Sequence, residues 1–147
     1  MSNPYIFTAT VSKIVDGDTI YVTDINLGFG IVHRGDNGRG ICLRLNAIDT
    51  PESRTRDLEE KRYGLAAKAF VKAFAPVGTK VTLRTYEKGK YGRWLADIKV
   101  GNKWLCKELI KHHHAVAYYG QNKSEIQKAH LANRLKVCST WNYSAGK

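Results

Sequence analysis

The chain has 147 residues, enough to bury one substantial core without disulfide staples. It carries 24 Lys and Arg against 13 Asp and Glu, a formal charge of +11; such a field concentrates polyanions, so nucleic acid is the first candidate partner and an anionic membrane surface the second. Cys42, Cys106 and Cys138 are odd in number and lack a CxxC pair, which excludes a disulfide framework and a zinc ribbon, and no apolar run is long enough to span a bilayer.

Segment 7–14 alternates like a strand, and Asp16-Gly17-Asp18 is a turn signal ahead of a second strand at 19–23. Segment 26–40 holds five glycines and matches neither a dinucleotide fingerprint nor a phosphate loop. It is expected to be a long mobile loop, with Arg34 and Arg39 as candidate polyanion contacts. Ile41 to Leu45 is a third strand, with Arg44 opposite Leu43 and Leu45.

Tyr63, Ala66, Ala67, Phe70, Val71 and Phe74 recur at helical spacing over 61–74, and Pro76 with Gly78 ends that helix. Strands at 81–86 and 94–100 flank a hairpin loop at 87–92. A short helix follows at 104–112. A last one spans 123–135, with Ser124 as candidate cap and Ile126, Ala129 and Leu135 as core contacts. This order predicts one α+β domain over 1–147: a five-stranded OB-like barrel with three packed helices. The consecutive His112, His113 and His114 splay on a helix and cannot share one ion. A helix end where positive charge meets the dipole is the better reading.

Hydrolysing a phosphodiester requires charge neutralisation, an activated water and help for the leaving oxygen. Val15-Asp16-Gly17-Asp18-Thr19 places two carboxylates around a glycine, hard oxygen donors for Ca²⁺ or Mg²⁺. Alone it is also an ordinary turn. Arg44-Leu-Asn-Ala-Ile-Asp49-Thr50-Pro51-Glu52 holds a guanidinium, two carboxylates and a rigid proline. Lys90-Tyr91-Gly92-Arg93-Trp94 brings Arg93 into a strand beside an aromatic.

In this order, with the intervening Lys61-Arg62-Tyr63-Gly64 helix and Trp141 after the last helix, these motifs resemble the staphylococcal nuclease (thermonuclease) family over about residues 7–141. The resemblance implies a Ca²⁺-dependent nuclease, with Mg²⁺ or Mn²⁺ as alternatives. It places Asp18, Asp49 and the Thr50 carbonyl on the metal, with Asp16 and Thr19 supporting them. It makes Glu52 the residue that positions or deprotonates water. It assigns Arg44 and Arg93 to the phosphate, Arg93 also assisting the leaving 5′-oxygen. Lys90 and Tyr91 would meet a terminal phosphate, and Tyr118 would stack on a base. The implied products carry a 3′-phosphate, with little discrimination between DNA and RNA.

Segment 26–40 is longer than in the simplest relatives. His113 stands where they end the second helix with glycine, which predicts a left-handed residue. The rival function is a nucleic-acid-binding module that has lost catalysis; the presence of Asp18, Asp49, Glu52, Arg44 and Arg93 argues for activity. A monomer without membrane association is expected. The first residues show neither a basic start nor a long apolar run, so no signal peptide is expected. The chain would be cytoplasmic if full length and secreted if processed.

Overall fold

A computed structural model describes residues 5–35, 39–88 and 93–140. Five strands form a closed barrel: β1 (Tyr5–Asp16), β2 (Thr19–Thr23), β5 (Ile41–Leu45), β7 (Lys80–Lys88) and β8 (Trp94–Val100). Neighbours run antiparallel in the order β5-β2-β1-β7-β8, and a parallel pairing of β5 with β8 closes the ring. The alternation that defines these strands also fills the barrel. Ile20 and Val22 of β2, Leu43 and Leu45 of β5, and Leu83 and Ile98 beyond them are essentially inaccessible to solvent. Burial of such a side chain contributes roughly 1.5–3 kcal/mol. A one-residue slip of β5 would drive Arg44 into that core, so the packing fixes where the guanidinium emerges.

Register shifts in β1, at 11–13 and 14–16, bend the strand around the barrel. The second lies at the acidic turn and aims Asp16-Gly17-Asp18 towards the short β6 (Ile48–Asp49). β9 (Lys103–Trp104) extends the sheet beyond β8, and β10 (Val116–Ala117) pairs with β6.

Segment 26–40 departs from the expected loop. β3 (Ile25–Gly28) and β4 (Ile31–His33) form a hairpin over much of it. Phe29 and Gly30 join them, both at positive φ, 55° and 77°, which suits the twist of a two-residue hairpin. The density of glycines hid a turn between β-forming residues. Arg34, a candidate polyanion contact, is exposed and pairs with Asp24 at 2.7 Å; Arg39, the other candidate, is also exposed.

Helix α1 (Leu58–Phe74) starts three residues before the expected boundary, because the Asp57 carboxylate accepts from Glu59 N and Glu60 N. Helix α2 (Leu105–Lys111) ends as expected, with His113 left-handed at φ 65°. His114 contradicts the reading of a charged helix end. It is buried, and burial pushes its pKa down to about 4, helped by its histidine neighbours; the ring is neutral at pH 7. Helix α3 (Lys123–Thr140) is capped by Asn122, not by Ser124. The Asn122 side-chain oxygen accepts from Glu125 N at 2.9 Å and from the Ser124 hydroxyl at 2.6 Å. Leu135 is 77% exposed and is no core contact; among the described side chains of α3, His130 and Val137 are buried. Cys42 and Cys106 are half-buried free thiols.

Candidate active site

One cavity of about 520 Å³ opens at the end of the barrel where β1 turns into β2 and β5 leads into β6. Asp16, Asp18, Thr19, Arg44, Asp49, Thr50, Glu52, Arg93 and Tyr118 all line it. Residues from the three sequence motifs therefore meet around one space. Lys90, Tyr91 and Trp141 lie outside the described residues.

Asp18 is more enclosed than Asp49. Its side chain is 13% exposed and accepts from the Thr19 hydroxyl at 3.1 Å, while Thr50 N approaches its other oxygen at 3.4 Å. Its backbone carbonyl accepts from Leu45 N, which ties the acidic turn to β5. Arg44 spans two carboxylates: Nη1 lies 3.1 Å from Asp18 Oδ2, and Nη2 lies 3.5 Å from Asp49 Oδ1. Burial raises the Asp18 pKa; Asp16 and Asp49 push the same way, while Arg44 and Thr19 oppose them. A buried carboxylate in that balance gains from a further positive charge.

Among the described residues no three of His, Cys, Asp or Glu converge so as to hold a metal ion on their own. The donors that do meet are oxygens: the carboxylates of Asp18 and Asp49, with Thr50 between them. Thr50 is buried, and its hydroxyl oxygen has no hydrogen-bond partner among the described residues. Two carboxylates with an adjacent neutral oxygen fit a hard divalent cation that keeps several waters.

Helix α1 sets how closely these parts approach. A Cβ at Gly17 would lie 2.9 Å from Ala67 Cβ and 3.1 Å from the Thr50 side chain. A Cβ at Gly64 would meet the Glu52 carbonyl group and, at 2.6 Å, Ser53 N. Gly64 and Ala67 are three apart on one helical face. Their small size lets the acidic turn and the Glu52 segment rest directly on the helix.

Residues from α3 complete the far wall, among them Ile126, Gln127 and His130. His130 was not anticipated from the sequence. Its Nε2 lies 2.8 Å from Asp49 Oδ2, and its ring is 6% exposed. The signal was a histidine on the 126-130-133-137 face, where Ala129 and Leu135 drew attention instead. Tyr118 stands at the rim, 46% exposed, its N–H donating to the Ala47 carbonyl; Tyr119 beside it is 79% exposed.

A closed five-stranded barrel of OB type, with an oxygen-rich cavity flanked by two arginines, defines the structural class. Residues 42–141 match the family described as staphylococcal nuclease homologue, and the chain belongs to that family. A protein named thermonuclease from Staphylococcus hyicus is 31% identical over 113 residues. The match takes in 76% of this chain and 59% of that relative, so the chain spans less than two thirds of its length. Asp16 and Asp18 precede the family match; their place in the site rests on geometry.

Proposed function

We propose that this chain is a divalent-cation-dependent nuclease that hydrolyses phosphodiester bonds in DNA, RNA or both with little sequence preference. The observation that carries this reading is the meeting of Asp18, Asp49, Glu52, Arg44 and Arg93 around one cavity. Asp18, Asp49 and the Thr50 carbonyl would hold the cation, Ca²⁺ in the first instance, with Mg²⁺ or Mn²⁺ as alternatives. When bound, the cation supplies positive charge next to the phosphoryl oxygens. Asp16 and Thr19 orient the ligands from behind.

Arg44 and Arg93 approach the phosphate from either side of the closing seam, since Leu43 and Trp94 are partners across it. Two planar forks grip phosphoryl oxygens and stabilise charge that grows in the transition state. Glu52, exposed at the cavity wall, positions a water and takes its proton as the water oxygen bonds to phosphorus. The bond to the 5′-oxygen breaks, the Arg93 guanidinium offsetting the charge on that oxygen as it takes a proton from solvent water. The products are a 3′-phosphate and a 5′-hydroxyl. Tyr118 offers an exposed ring for a base, while Lys90 and Tyr91 are assigned to a terminal phosphate by resemblance alone. A charge of +11 favours capture of the polyanion.

The test is cleavage of single- and double-stranded DNA and RNA by pure protein across Ca²⁺, Mg²⁺ and Mn²⁺. Activity should vanish with chelator and fall at least about 100-fold in Glu52→Gln and Arg93→Ala. Intact nucleic acid that is nonetheless retarded on a gel would establish a binding module instead.

A further inference from the structure

We propose that His130 is a positioning residue: it fixes the Asp49 carboxylate from behind and so sets the affinity of the site for a divalent cation. This rests on the reading of Asp49 as a cation ligand. Asp49 ends a strand of two residues, and its backbone is held by pairing with Val116. Pairing of the backbone leaves the side-chain torsions free. The two carboxylate oxygens are then divided between partners of different kinds. Oδ2 accepts from His130 Nε2 at 2.8 Å, while Oδ1 faces the Arg44 guanidinium in a longer ion pair of 3.5 Å. The shorter and more buried contact holds the torsions and leaves Oδ1 turned towards Arg44 and Asp18.

His130 is suited to that task because its ring is buried, 6% exposed, and its helix is anchored close by. One turn further along α3, Asn133 Nδ2 donates to the Ala115 carbonyl at 3.2 Å. The Arg134 guanidinium lies 5.2 Å from the Tyr63 ring, and its Nη1 lies 3.8 Å from Glu59. These contacts pin α3, one turn beyond the imidazole, to the residue ahead of β10 and to α1. A carboxylate ligand backed by a buried ring donor is a general device for orienting metal sites, and its loss typically costs about 10–100-fold in metal affinity. Mere anchoring of α3 would make the same contact and leave cation affinity unaffected.

Calorimetric titration of the metal-free protein with Ca²⁺ separates these roles, with thermal unfolding in chelator measured alongside. His130→Leu keeps the volume and removes the donor; His130→Asn has an amide too short to reach Asp49; His130→Gln restores a donor near the Nε2 position. Ca²⁺ affinity should fall about 10–100-fold in the Leu and Asn variants and recover most of the way in the Gln variant. Added Ca²⁺ should slow amide exchange around 126–134 in the wild type and not in His130→Leu. Wild-type affinity in a folded Leu or Asn variant overturns the proposal, whatever happens to the melting temperature. A wild-type protein that binds no Ca²⁺, Mg²⁺ or Mn²⁺ overturns the cation reading itself, and this assignment with it.

Discussion

Arg44 lies 3.1 Å from Asp18 while its second nitrogen reaches towards Asp49, so one guanidinium offsets the repulsion between two enclosed carboxylates. Removing it as Arg44→Ala leaves Asp18 charged and buried without the opposite charge that faces it at 3.1 Å. A loss of roughly 3 kcal/mol of stability is expected at pH 7. Asp18 has a raised pKa in the folded state. Its contribution is therefore favourable below the unfolded value near 3.8 and is lost as pH rises through the folded one. The deficit of the variant should shrink as the solution is made acidic. Denaturant titrations of both metal-free proteins from pH 7 to 3.5 would reveal this, and a deficit independent of pH would contradict it. Arg44→Lys should recover part of the stability and little of the cleavage, because the fork is gone.

Gly64 should resist the change that normally strengthens a helix. Gly→Ala in a helix interior gains about 1 kcal/mol. Here the new methyl group meets the Glu52 carbonyl and Ser53 N, which cannot yield without moving the segment. Gly64→Ala is expected to destabilise by about 1–3 kcal/mol. It should also lower kcat by up to about 100-fold through misplacement of Glu52. Melting curves and initial rates settle it; a more stable, fully active variant would refute the close approach.

The hairpin tip is a place where stability can be gained. Phe29 is fully exposed at φ 55°, a conformation that costs bulky residues about 1 kcal/mol or more and that asparagine tolerates. Phe29→Asn should stabilise the protein by roughly 0.5–1 kcal/mol. It should also weaken retention on a hydrophobic-interaction column, leaving cleavage unchanged. A loss of stability would mean that the ring makes contacts this structure does not show.

His114 gives the fold an acid sensitivity separate from the carboxylates. The unfolded ring takes up a proton near pH 6.5, the folded ring only near 4. Stability is therefore complete above 6.5, declines as pH falls through that window, and has lost roughly 3 kcal/mol once pH is below 4. In His114→Gln this component should disappear. The slope of unfolding free energy between pH 6.5 and 4.5 is the quantity to compare, since the absolute stability of the variant also reflects lost packing against Phe70.

Much of the barrel was legible because its central strands β2 and β5 alternate strictly. β2 and β5 fall on the expected residues, with Ile20, Val22, Leu43 and Leu45 inward. The start of α1 was not, since Leu58-Glu59-Glu60 adds nothing to the apolar stripe and the boundary is set by the Asp57 cap. The packed face of α3 was misread for a related reason. Leu135 looks like a core residue, yet the helix turns His130 and Asn133 inward to polar partners. Asp18, Arg44 and Asp49 could be placed together only through the likeness to a family. The His130–Asp49 contact joins residues 81 apart, and nothing local in the sequence couples them.

The parallel pairing of Leu43 with Trp94 closes the barrel between segments distant in sequence, a step that chain entropy delays during folding. Arg44 and Arg93 flank that seam, so neither half of the protein presents both. An anion gripped by the two arginines would act as a clasp on the last pairing to form. It would bind the closed barrel and not the open one, and at about 100 times its dissociation constant would add roughly 2.7 kcal/mol to stability. Slowed unfolding in the presence of a small phosphate monoester would then report on the joint that holds the barrel shut.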